Sequence, residues 1–237
     1  VLPNIPVFVF GAFLPATAAL ILVYRENGAA GVAELLRRSS DYRRIKSRIW
    51  YAPMLLMWPL IVAVQCGLAR LAGRPVSAPH FSFWIPVGFA ISFIFALAEE
   101  LGWMGYAFEP MQARLGALKA SVVLGVIWAS VHIPYFTASG APPHWIAWQW
   151  IYVATTRVLY AWIYCNTGRS LFAIAIVHTL FNMVWQVFPR DTALAGLSVP
   201  AFYNPSSLAL TTIVLATIVT YLWGSETLAK YRYAGAS

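Results

Sequence analysis

The sequence predicts an all-α fold: a polytopic transmembrane helix bundle of about seven spans, or eight, forming a single integral membrane domain over residues 1–237. Three observations carry this reading. Hydrophobic residues fill 60% of the chain and charged residues only 10%, against roughly 25% charged in soluble domains. Mean hydropathy is +0.68. Several apolar runs approach or exceed the ~18–20 residues that cross a bilayer. A soluble domain is excluded on these grounds.

The runs follow in order. The first, 5–24, reads as a span rather than a cleavable signal. The others are 49–71, 81–114, 118–136, 145–165, 170–188 and 206–223. Gly, Pro and Asn mark the linkers, at Gly73 to Pro79, Gly116, Gly140 to Pro143, Asn166 to Gly168 and Pro189 to Pro205. The chain opens on Val1, which leaves room for an eighth span before it.

The formal charge of +8 would raise nucleic acid as a partner for a soluble chain. Here seven of the sixteen Lys/Arg fall between Arg25 and Arg48, beside two apolar runs. That is a cytoplasmic loop under the positive-inside rule, with anionic lipid as its neighbour and no nucleic acid. Loops on the same side hold Arg114, Lys119, Arg169, Lys230 and Arg232, while the opposite loops hold Arg74 and Arg190. The N-terminus is therefore expected outside and the C-terminus in the cytoplasm, in a bacterial inner (plasma) membrane. Within the basic stretch, Leu35, Leu36, Ile45 and Ile49 suit a short amphipathic helix at the interface over 31–50; a solvated loop fits as well. Cys66 and Cys165 lie in apolar runs with no zinc-type spacing and read as unpaired buried thiols.

Glu99 and Glu100 stand out against this background, because the chain has only eight acidic residues and these two end a long apolar run. A carboxylate at membrane depth costs ~2.5–3.5 kcal/mol on insertion scales and marks a functional site. Spacing predicts which residues meet them. Glu99 and His132 each lie 16.5 positions from the turn at Leu115 and Gly116, and Arg157 and His178 each lie 10.5 positions from the turn at Thr167 and Gly168. Equal offsets along antiparallel helices mean similar depth. His178 and Asn182 share a helix face at i, i+4, as do Trp128 and His132. Adjacent Glu99 and Glu100 point about 100° apart, so one can face a reaction centre while the other is held in a hydrogen-bond network.

Such a set suits amide hydrolysis. A glutamate in a low-dielectric site holds and deprotonates a water, a histidine shares that water, and a second histidine with an Asn amide stabilises the oxyanion. No Ser-His-Asp, Cys-His or HExxH arrangement competes. Trp103 and Tyr106 can line the site, and core packing explains them equally well. The aromatic group Trp145, Trp148, Trp150 and Tyr152 reads as an interfacial belt. Pro134, just after His132, can end or kink the helix there.

The segments EELGWMGYAFEPMQARLG, LGVIWASVHIPYF and AWIYCNTGRSLFAIAIVHTLFN resemble the three motifs of the CPBP family, the membrane proteases that include CAAX prenyl endopeptidases, in the pattern EExxxR, [FW]xxxH, HxxxN. The resemblance places a catalytic core at about 81–188. It implies Glu99 as the water-activating base and His132 as its partner on the same water. It implies His178 and Asn182 as the oxyanion site and Glu100 as their support. Trp103 and Trp128 are candidates to line the site. The resemblance also implies chemistry without a metal or other cofactor, on a membrane-associated peptide or protein, prenylated or not, among lipids.

One position departs from the pattern. Met104 stands where the motif has arginine, and methionine cannot neutralise Glu100 or donate to it. Arg157 is expected to supply the missing cation; the alternative is a neutral, protonated Glu100, and Arg157 could instead snorkel or bind a lipid phosphate. Met104 also sustains a non-enzymatic alternative, a catalytically impaired member acting as a membrane binding, immunity or regulatory scaffold. Two further readings stay open on residue types: a zinc site of Glu99, His132 and His178 with water, and a proton-coupled transporter, which no internal repeat supports.

Overall fold

The computed structural model describes residues 11–190 and 199–229. The start of the first expected span (residues 5–10) and the basic residues Lys230 and Arg232 lie outside them. The described chain is helical, with no β-strand among its residues. Its α-helices are α1 (Leu14–Arg37), α2 (Tyr51–Leu71), α3 (Ile85–Gly102), α4 (Phe108–Leu115), α5 (Ala117–Val131), α6 (Ile133–Ala138), α7 (Pro143–Asn166), α8 (Leu171–Met183) and α9 (Pro205–Trp223). A π-helical turn, Trp103–Ala107, joins α3 to α4.

Among the described residues, four helical segments are long and apolar enough to cross a bilayer: Arg48–Leu71, Ile85–Leu115, Ala117–Ala138 and Pro205–Trp223. Seven runs are expected from the sequence; the first begins outside the described residues, and two helices show why a further two runs fall short. The α8 helix ends at Met183 after 13 residues, about 20 Å at 1.5 Å per residue, and is short for a ~30 Å hydrocarbon core. The α7 helix has 24 residues, but Gln149, Thr156 and Arg157 are buried on it. It packs between α5 and α9, while α8 lies against α3 and α2. A helix surrounded by protein need not be lipid-soluble all round.

Small residues set the closest helix contacts. A Cβ on Gly125 would overlap the Ala154 carbonyl, so α5 and α7 touch backbone to backbone there. A Cβ on Gly102 would overlap the Pro15 carbonyl, which brings α1 against the end of α3. Gly116, at φ +78°, makes the turn between α4 and α5.

The amphipathic helix considered over 31–50 is not formed as one element. Instead α1 continues past a non-helical Gly28 (φ 62°, ψ −162°) to Arg37. Short 3₁₀ turns at Arg38–Ser40, Tyr42–Arg44 and Arg48–Trp50 follow. Helix-favouring Ala29, Ala30, Ala33, Glu34 and Leu35 carry the helix on after the glycine kink. The stretch is tied to the bundle rather than laid beside it. Leu35 and Ile45 are buried. Asp41 accepts from Ser170 Oγ (2.6 Å), Leu171 N–H (3.4 Å) and Phe172 N–H (3.2 Å), satisfying donors at the start of α8. Arg38 donates to Glu109 (3.0 Å), the Tyr164 hydroxyl (2.5 Å) and the Gly105 carbonyl in the π-turn (3.3 Å). The expected aromatic belt is divided: Trp148 is exposed, whereas Trp145 and Tyr152 are packed in the core.

Candidate active site

The last turn of α3 delivers both glutamates, and the helical angle between them separates their surroundings. Glu99 is half-buried and lines a cavity of about 700 Å³ together with His132, Trp103 and Tyr106. Leu14, Pro15, Ala18 and Leu22 of α1 form the facing wall. Glu100 points the other way and is completely buried.

Glu100 is fully engaged. Arg157 Nη1 donates to both its oxygens, at 2.8 and 2.7 Å, and His178 Nδ1 lies 2.8 Å from Oε1. The guanidinium makes the carboxylate's negative charge tenable in a site without solvent, since a lone buried charge would neutralise or unfold the site. Arg157 is itself 0% exposed, so it neither snorkels nor reaches a lipid phosphate. Its Cζ sits 4.0 Å from the Trp128 ring centroid and 5.1 Å from that of Tyr160, within cation–π range. Met104 is buried in the core cluster beside these residues in sequence.

Glu99 and His132 are joined through Trp128. The indole Nε1–H donates to Glu99 Oε2 at 2.7 Å, and His132 Nδ1 lies 2.6 Å from the Trp128 carbonyl. A carbonyl only accepts, so Nδ1 carries the proton and Nε2 presents its lone pair in the neutral ring. Trp128 is 1% exposed and does not line the cavity; it stands behind both residues. His178 packs edge-on against the same indole, with ring centroids 5.2 Å apart. Asn182, one turn beyond His178, is exposed and is not among the residues lining the cavity of Glu99.

Two features of this site were missed by the sequence reading. The π-turn Trp103–Ala107 begins three residues after Glu100. Such bulges concentrate at functional sites because they re-aim side chains within a continuous helix. The linkage of Glu99, His132 and Arg157 through one tryptophan is the other. Its trace in the sequence is the i, i+4 spacing of Trp128 and His132; the indole's direction is a matter of rotamer. No group of three His, Cys, Asp or Glu among the described residues is arranged to hold a metal ion.

The site thus combines a buried carboxylate–arginine pair with a cavity-facing glutamate and histidine, in a bundle with apolar helices long enough to cross a bilayer. Residues 81–184 match the family described as type II CAAX prenyl endopeptidase Rce1-like. The protein named CAAX prenyl protease 2 from Methanococcus maripaludis is 29% identical over 131 residues, covering 52% of this chain and 48% of that protein. The chain thus spans about half the length of the curated relative it matches. These matches support the resemblance to the CPBP family of membrane proteases, and all three motif segments lie within the matched region.

Proposed function

We propose that this integral membrane protein is an endopeptidase that hydrolyses a membrane-associated peptide or protein with a water activated by Glu99. The observation that carries the reading is the shared cavity of Glu99 and His132, with Glu99 pinned on one oxygen and His132 fixed with Nε2 free. A water between Glu99 Oε1 and His132 Nε2 loses a proton to Glu99 as its oxygen adds to the amide carbon. In this scheme the tetrahedral oxyanion takes donors from His178 and Asn182, neither of which lines the cavity of Glu99 here, so substrate binding must bring them to it. The proton then passes from Glu99, or through His132, to the leaving nitrogen, and the C–N bond breaks. No cofactor takes part in this scheme.

Glu100, Arg157 and His178 form the supporting network. Arg157 supplies from α7 the charge that the motif arginine would supply from position 104, so Met104 need not silence the enzyme. The catalytic core is the segment 81–188 of a single domain. The wall of α1 residues facing Glu99 is apolar, which suits a substrate with a greasy anchor, and the relative's name makes a prenylated C-terminal peptide the first to try. The charge pattern of the loops supports a cytoplasmic C-terminus and an outside N-terminus in a plasma membrane.

The test is a panel of quenched fluorescent peptides, prenylated and not, offered to the purified protein in liposomes with and without chelator. Cleavage favouring prenylated peptides and indifferent to chelator is expected. Loss on chelation would move the chemistry to a metal. No cleavage of any peptide, with Met104→Arg also inactive, would leave the scaffold reading that Met104 suggests.

A further inference from the structure

Trp128 touches both members of the Glu99–His132 pair and the cation behind them, without lining the cavity itself. We infer that Trp128 is the positioning residue of the reaction: its indole N–H fixes the Glu99 carboxylate, its carbonyl fixes the His132 ring, and its π face transmits the Arg157 charge to Glu99. The inference rests on Glu99 being the base.

Three arguments support it. A glutamate's terminal torsion is broad and roughly two-fold, so a carboxylate in a cavity swings unless one oxygen is held. The 2.7 Å bond from Nε1 holds Oε2. Among the described residues, no hydrogen bond reaches Oε1, which is left for a water. Second, the donor cannot change role. An indole N–H donates and never accepts, so it fixes the carboxylate without competing for the proton that Glu99 must take. Third, Arg157 Cζ lies 4.0 Å from the ring centroid. A cation over an aromatic face draws electron density from it, which strengthens the N–H as a donor, as polarised hydrogen-bond chains do. One arginine thereby serves both carboxylates, Glu100 directly and Glu99 through the ring.

The same residue sets the second reactant. His132 follows Trp128 by one helical turn and bonds its carbonyl at 2.6 Å. Side chain and backbone of a single buried residue therefore hold the two groups that share the water. Phenylalanine keeps an aromatic ring for the cation, but it is smaller than the indole and has no donor.

Trp128→Phe is the test, read in two independent ways. In peptide cleavage, kcat should fall about 100-fold, the loss expected for a misplaced reactant, with KM unchanged because no substrate contact is removed. In protein labelled with [¹⁵N]tryptophan, the indole peak absent from Trp128→Phe, or from Trp128→Tyr if the first variant fails to fold, belongs to Trp128. In Glu99→Gln that peak should move upfield while the other indole peaks hold, since an amide oxygen accepts more weakly than a carboxylate. Wild-type kcat in a folded Trp128→Phe, or an unmoved Trp128 peak in Glu99→Gln, would overturn the inference. A moved peak in a protein that cleaves nothing would sink the reading of Glu99 as a base, and the positioning role with it, while the contact itself stood.

Discussion

At the residue scale, two neighbouring glutamates meet opposite conditions because a helix turns about 100° per residue. Glu99 faces the cavity, and Glu100 faces Arg157 and His178 in the protein interior. The Arg157 pair is the more exposed to mutation. Arg157→Met would leave Glu100 charged and alone, and breaking a buried pair from one side costs about 3–5 kcal/mol. We expect Arg157→Met to melt well below wild type in detergent, and Glu100→Gln in that background to recover much of the loss, because removing both charges is close to neutral. Equal melting of wild type and Arg157→Met would show that the pair does not hold the site. In cleavage, Met104→Arg should partly rescue Arg157→Met if position 104 can reach Glu100 as the motif implies.

How these contacts were legible in the sequence differs residue by residue. That Glu99 and His132 share a cavity, and that Arg157 and His178 both reach Glu100, agrees with their offsets about two turns, because antiparallel helices convert sequence distance into depth. The role of Trp128 did not follow. Spacing puts its Cβ on the face of His132, but whether the indole N–H reaches Glu99 depends on χ angles set by packing from α7 and α8.

At the element scale, three local devices position the site: the π-turn, the close approach of α1, and the tethered basic segment. Gly102 lies where α3 meets Pro15. Gly102→Ala must push α1 away from α3, and overpacking of this kind costs about 1–3 kcal/mol. Since α1 walls the cavity, we expect cleavage to drop more than stability does; unchanged activity would mean that the α1 wall takes no part in catalysis. Asp41 caps the start of α8, the helix that carries His178. Asp41→Ala should lower stability by about 0.5–2 kcal/mol, the range for a lost cap, measured by chemical or thermal unfolding. A variant as stable as wild type would show the cap to be idle.

The basic stretch illustrates where sequence pattern runs out. Its arginines and scattered aliphatic residues fit an interfacial helix or a loose loop. The structure instead uses Arg38 and Asp41 as ties to α4, the π-turn and α8. Those ties join residues more than sixty positions apart, which no local periodicity reports. The π-turn is equally silent, since WMGYA has no composition that demands an i→i+5 pattern.

At the scale of the whole molecule, helical class and membrane character were readable from composition alone, because 60% hydrophobic residues leave no other solvent for this chain. Span number was less readable. Counting apolar runs gives seven, whereas length and composition of the helices give four among the described residues; the difference lies in the first run, which begins outside the described residues, and in α7 and α8, whose surroundings are protein. Orientation is open to direct measurement. In a chain with both native cysteines replaced, Arg43→Cys should react with an impermeant maleimide only from the cytoplasmic side of oriented vesicles; labelling from outside alone would invert the topology.

The account stands or falls on Glu99. The measurement to make is kcat/KM for one cleaved peptide with wild type, Glu99→Ala and His132→Ala, each shown by its melt to be folded. We predict cleavage by wild type and its loss in both variants. Cleavage by Glu99→Ala at the wild-type rate would contradict the assignment of the base and, with it, the mechanism built on this cavity.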